Sequence, residues 1–145
     1  MSTVTVASVI ADLVAEQDAL DAVVTPLAAA DWDLATPSPR WAVRDQIGHL
    51  AFFDETAALA ISDPEGFIQH RTDFVAAAFA TPGAGDELTL GPAREMTAKE
   101  LLLHWRSCRN QLAAAAAECG EKDRIEWYGP SMGAKSFLTA RLMEA

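Results

Sequence analysis

The 145-residue sequence predicts an all-α fold, a bundle of four long helices with an extra short helix between the second and third of them. Three observations lead there. Apolar residues recur at three- and four-residue steps over long stretches, as they do in helices with one buried face. No stretch alternates apolar and polar residues convincingly as a half-buried strand would. Helix-start signals stand where two of the periodic stretches begin.

The first helix is predicted over residues 4–29. Val6, Ile10, Leu13, Gln17, Leu20, Val24 and Leu27 form its stripe, with Asp12, Glu16, Asp18 and Asp21 off it. Pro37 and Pro39 each bias the preceding residue away from helix, so the chain loops until about Trp41. The second helix covers about 42–62, with Ile47, Leu50, Phe53, Asp54, Ala57 and Ile61 along one side. Asp63-Pro64-Glu65 reads as a cap, a proline at the first helical position and an acid in the first turn, opening a shorter helix over about 64–80. Its apolar positions are Phe67, Phe74, Val75 and Phe79. The stretch from Thr81 to Pro92, with Gly83, Gly85 and Gly91, reads as a loop and the most mobile part. Thr97-Ala98-Lys99-Glu100 is a capping box that opens a helix over about 98–119, striped by Leu101, Leu102, Trp105, Cys108, Leu112, Ala116 and Cys119. The last helix is expected to start near Ser131 to Ala134 and run to the end of the chain.

The length corresponds to one domain, residues 1–145, able to bury roughly two thirds of its unfolded surface without a staple. No apolar run approaches the roughly 20 residues that span a bilayer. The first basic residue is Arg40, so the N-terminus lacks a basic targeting region, and the expected location is the cytoplasm. A net charge of -10 is the wrong sign for collecting phosphates, which argues against nucleic acid as a partner. Cys108 and Cys119, about 16 Å apart on one predicted helix, lie beyond the roughly 7 Å reach of a disulfide and are expected as free thiols.

Candidate chemistry is sparse. His49 sits in the second helix among Ile47, Leu50, Phe52 and Phe53, where a neutral imidazole could ligate a metal or simply be a hydrogen-bonded core histidine. Glu144 shares a face with Phe137, where an acid calls for a metal, a cation or a proton; the alternative is a frayed terminal side chain. His104 and Cys108 have the four-residue spacing of two ligands on one helix, but read as a surface histidine and a buried thiol. His70 reads as a surface residue. Gly129-Pro130-Ser131-Met132-Gly133 matches G-x-S-x-G by chance, since no histidine follows Ser131; that serine reads as a helix cap. Trp41, Trp127 and Tyr128, together with Trp32, fall in loops or at helix starts, where rings wall a pocket or pack helix ends.

Trp41-Ala42-Val43-Arg44-Asp45-Gln46-Ile47-Gly48-His49-Leu50 resembles the second-helix signature of the DinB-like four-helix bundles, in their mycothiol-dependent maleylpyruvate isomerase branch. Trp127-Tyr128-Gly129-Pro130-Ser131-Met132, followed by residues 136–144, is similar to the start of the fourth helix in a metal-binding subgroup of that branch. The resemblance implies a divalent metal, often zinc, held by His49, by Glu144 and by a histidine one helical turn further on, past Ala145. It also implies a thiol cofactor, mycothiol or an equivalent, an electrophilic small-molecule substrate, and isomerase or S-transferase chemistry. Trp41, Trp127 and Tyr128 are then expected to line the cofactor pocket. On this reading the chain is an incomplete bundle domain, with weak metal affinity and little catalytic competence. The rival expectation is a non-catalytic bundle that binds a small molecule or a partner helix.

Overall fold

The computed structural model describes residues 3–145. Among these residues six α-helices form: α1 Val6–Val24, α2 Val43–Ser62, α3 Pro64–Ala78, α4 Ala84–Arg94, α5 Ala98–Ala116 and α6 Ala134–Glu144. A short 3-10 helix, Ala29–Asp33, follows α1, and two-residue strands β1 Arg124–Ile125 and β2 Met132–Gly133 pair antiparallel before α6. The fold is all-α, and the small hairpin is an addition that periodicity does not reveal. Among the described residues no helix is long and apolar enough to cross a membrane.

Two of the predicted caps form. The Glu100 N–H donates to Thr97 Oγ1 over 3.1 Å and the Thr97 N–H to Glu100 Oε1 over 2.9 Å, closing the box at the start of α5. Asp63 accepts from the Gly66 N–H at 3.1 Å, with Pro64 as the first residue of α3. Helix α1 opens on a reciprocal Thr5–Ser8 pair. Ser131 does not cap α6: Gly133 holds that position, and Ser131 accepts from Arg124 Nη2 instead. The predicted ends of α1 and α5 were long by several residues, and Phe79, lying just past α3, is exposed.

The stretch read as a mobile loop is the helix α4. Gly83, at φ +82°, makes the left-handed turn into it, and Asp86 and Glu87 in the first turn favour the positive end of its dipole. Gly85, Gly91 and Pro92 are poor helix residues, but Leu90 and Ala93 are buried, and the Arg94 guanidinium donates to Asp45 on α2 over 2.8 Å. Tertiary burial overrides propensity there. The fit is close: a Cβ on Gly48 of α2 would meet the Ala93 Cβ at 2.7 Å.

The core has two parts. One gathers Val6, Val9 and Leu13 of α1 with Ala57 and Ala60 of α2, Leu112 and Ala116 of α5, and Phe137 and Leu138 of α6. The other gathers Val24 of α1, Trp32, Ile47 and Leu50 of α2, and Leu101, Trp105 and Cys108 of α5. Helices α2 and α5 therefore run the same way, with α1 and α6 opposed to them. Two parallel neighbours need a long crossover, which α3 and α4 provide. Between the two parts lies a polar layer. Arg141 of α6 donates to Asp54 of α2 over 2.8 Å, and Gln17 of α1 reaches the same carboxylate at 3.4 Å, all three buried.

A surface clamp joins α1 to α5. Arg106 holds Asp21 with two bonds of 2.8 Å, and Arg109 adds a third of 2.8 Å. The Arg106 guanidinium, foremost, holds the Asp21 carboxyl well below the ordinary carboxylate range. A depressed folded-state pKa stabilises the fold above the unfolded value near 4, and that contribution is lost as pH falls below it. Asp21→Asn is expected to lower stability at pH 7 by about 1–3 kcal/mol. It should also flatten the stability-against-pH curve below about pH 4, checked by urea denaturation across acid pH.

Candidate metal centre

The loop before α2 aims Trp41 at that helix. The Thr36 N–H and hydroxyl both donate to the Trp41 carbonyl, at 3.0 and 2.8 Å, and the Trp41 N–H donates to the Ser38 carbonyl at 3.1 Å. Arg40 takes the left-handed φ of +66° that this turn requires. Gln46 pins the same loop from α2 through Thr36 and Ser38. The Trp41 ring then lies 5.3 Å from the His49 ring, and Phe53, one turn along α2, lies 4.8 Å from it on centroids.

His49 Nε2 stands 3.5 Å from Glu144 Oε2, so α2 and α6 bring the two sequence-predicted ligands together. The Glu144 side chain is half exposed rather than turned inward. Burial pushes the His49 pKa below its ordinary value, against the pull of Glu144. The imidazole is therefore neutral at physiological pH, and the pair is not an ion pair there. Its lone pair is available for coordination. Behind it, burial pushes the Asp54 carboxyl up and the Arg141 guanidinium pulls against that rise. Because Arg141 lies one turn before Glu144 on α6, the polar layer sets the azimuth at which Glu144 meets His49.

The donor set suits a divalent ion. Metal–nitrogen and metal–oxygen bonds of about 2.0–2.2 Å at tetrahedral angles place two ligand atoms roughly 3.3–3.5 Å apart. The His49–Glu144 separation falls at that edge length.

Trp127 and Tyr128 reach His49 only through Phe53, at centroid distances of 6.2 and 5.6 Å from that ring. Trp127 stacks on the buried Phe67 at 5.5 Å and meets Phe137 edge-on at 5.0 Å. Tyr128 Oη and His70 Nε2 share a hydrogen bond of 2.6 Å, and burial pushes the phenol up to about 12. His70 is thus half-buried in an aromatic cluster, not the surface residue its sequence context suggested. Trp32 is 2 % exposed and packs the helix ends. A cleft of about 750 Å³ is bounded by Phe52, Glu55, Thr56, Leu59, His70 and Gln111, and neither His49 nor Glu144 lines it.

A second group of ligand-type atoms lies between α2 and α5. Glu55, His104 and Cys108 each bring one such atom to within 4.8 Å of the others. Both cysteines are free, and Cys108 is buried as predicted, but His104 is half-buried beside it rather than a surface residue. The four-residue spacing signalled two of these three. Nothing local signals Glu55, which lies 53 residues before Cys108 and joins it only through the packing of α2 on α5.

Comparison with known proteins agrees with this architecture. Two proteins of Mycobacterium tuberculosis strains, uncharacterized protein Rv0036c and uncharacterized protein MT0041, are each 39% identical over 137 residues, 93% of this chain and 51% of their own length. The chain thus spans about half the length of these curated relatives. No solved structure matches. The family model described as the mycothiol maleylpyruvate isomerase N-terminal domain matches residues 13–145, so the chain belongs to that family.

Proposed function

We propose that this bundle is the metal-holding part of a thiol-dependent enzyme, with His49 and Glu144 as two ligands of a divalent ion, zinc being the expected one. The 3.5 Å approach of His49 Nε2 to Glu144 Oε2, on two helices far apart in sequence, is the observation that carries the reading. A histidine one helical turn beyond Glu144, outside this sequence, would be the third ligand, as the family resemblance implies. Bound there, the ion would supply Lewis-acid stabilisation of a thiolate, that of mycothiol or a similar small thiol, for addition to an electrophilic substrate.

The chain's own residues do the remaining tasks. Asp54 and Arg141 hold the two ligand helices in register. Trp41 and Phe53 flank the imidazole and limit water around it. Trp127 and Tyr128 extend that apolar wall on the far side of Phe53. The reaction class is cis–trans isomerisation or S-transfer in the whole protein, in the cytoplasm, where thiols stay reduced.

Elemental metal content of protein purified without chelator tests this. A form extended through the expected histidine should carry near-stoichiometric metal, and the 145-residue form much less. His49→Ala or Glu144→Ala should weaken binding in the extended form by more than the roughly 10–100-fold that losing an outer-sphere partner costs. Metal content indifferent to both substitutions would defeat the reading. It would leave the alternative, a non-catalytic bundle that binds a small molecule or a partner helix, which the separate 750 Å³ cleft favours.

A further inference from the structure

We infer that Glu55, His104 and Cys108 form a second metal site, one that takes a thiol-preferring divalent cation and does not depend on His49 or Glu144. Cys108 Sγ lies 3.6 Å from His104 Nε2 and 3.9 Å from Glu55 Oε2, and His104 Nε2 lies 3.9 Å from that same carboxylate oxygen. Around a tetrahedral ion with a metal–sulfur bond of about 2.3 Å, sulfur stands roughly 3.5–3.7 Å from a nitrogen or oxygen ligand, and nitrogen roughly 3.3–3.5 Å from oxygen. The sulfur edges therefore match to within a few tenths of an ångström. Only the nitrogen–oxygen edge must shorten further, and Glu55, the flexible and exposed member, is free to supply that movement.

The chemistry of the set selects the ion. One sulfur, one imidazole nitrogen and one carboxylate oxygen suit zinc, cobalt or cadmium and disfavour magnesium and calcium, which take oxygen alone. Three protein ligands leave a coordination position for water or a small ligand's donor atom. Glu55 borders both the 750 Å³ cleft and a smaller one of about 260 Å³ that His104 also lines, so the site stands at the divide between two openings. Burial and the neighbouring Glu55 and Asp54 push the Cys108 thiol up to about 12, so the free group is protonated. On binding, the cation replaces that proton, which leaves to solvent, and the metal–sulfur bond forms with no change of oxidation state.

Both sites lie on α2 but on different sides of it. His49 and Glu55 are six residues apart, about 9 Å along the axis and about a third of a turn round it. Only the second site contains sulfur, which makes the two separable by spectroscopy.

Titration of the chain with Co²⁺ under reducing conditions tests the inference. A thiolate-to-cobalt charge-transfer band should grow in the near ultraviolet and saturate at one equivalent, and Zn²⁺ or Cd²⁺ should abolish it while Mg²⁺ does not. Cys108→Ala should remove the band. His104→Ala and Glu55→Gln, at partly exposed positions that leave the core intact, should weaken cobalt binding at least 10-fold. His49→Ala and Cys119→Ser should leave the band unchanged. Absence of a sulfur band in the parent chain, or a band that survives Cys108→Ala or vanishes with Cys119→Ser, would overturn the site. A band lost in His49→Ala would overturn its independence from the first site.

Discussion

Asp54→Ala is expected to destabilise the protein by about 3–5 kcal/mol, because it leaves the Arg141 guanidinium buried without its counter-charge. Arg141 is 5 % and Asp54 2 % exposed, so water cannot replace the lost partner. At roughly 3 °C per kcal/mol for a chain of this size, the midpoint of thermal unfolding should fall by on the order of 10 °C. Replacing both members by apolar residues of similar volume, Asp54→Leu with Arg141→Met, should recover most of that loss, since the pair repays little beyond its own desolvation. Calorimetry of the two single variants and the double variant provides the cycle. The two kinds of variant should differ in their metal binding as well. The double variant keeps the helices packed but frees the azimuth of α6, so metal held through Glu144 should weaken even where stability returns. Equal metal binding in the double variant and the parent would show that the polar layer serves folding alone.

Phe67→Ala is expected to cost a similar amount, about 3–5 kcal/mol, by emptying a site where the ring is 0 % exposed. Phe67 stacks on Trp127 and meets Tyr128 edge-on at 5.3 Å, so the cavity opens beneath both rings. Phe67→Leu fills most of that volume and should cost less than about 1.5 kcal/mol. Chemical denaturation measures both values. Trp127 fluorescence in the native baseline should change in Phe67→Ala and stay near the parent in Phe67→Leu, because only the first removes the packing partner. A loss below 1 kcal/mol for Phe67→Ala would mean that the aromatic cluster collapses into the gap.

The legibility of the chain differs from element to element. The capping box at Thr97 and Glu100, the Asp63-Pro64 start and the stripe of Leu101, Trp105, Cys108 and Leu112 act between near neighbours, and all appear in the structure as read. Helix α4 was missed because its glycines and proline are locally unfavourable. What compensates them is the burial of Leu90, and of Ala93 close against Gly48 of α2, which no local window contains. His49 and Glu144 were candidates from their helix positions, a family resemblance implied them as joint ligands, and the fold sets them 3.5 Å apart. Asp54 and Gln17 were both visible on the inner sides of their helices, but their meeting and the part of Arg141 in it were not, since the three come from helices far apart in the chain.

By itself the sequence determined the all-α class, the starts of its main helices and the residues each turns inward, because these follow from chain-local hydrogen bonding and a 3.6-residue period. The tertiary structure alone decided which inward residues meet. It made parallel neighbours of α2 and α5, and so carried Glu55 to His104 and Cys108 across 53 residues of chain. It also split the core around Asp54, Gln17 and Arg141. A periodic stripe says that a face is buried. Only the packing of whole helices, driven by the summed burial of many side chains, says against what.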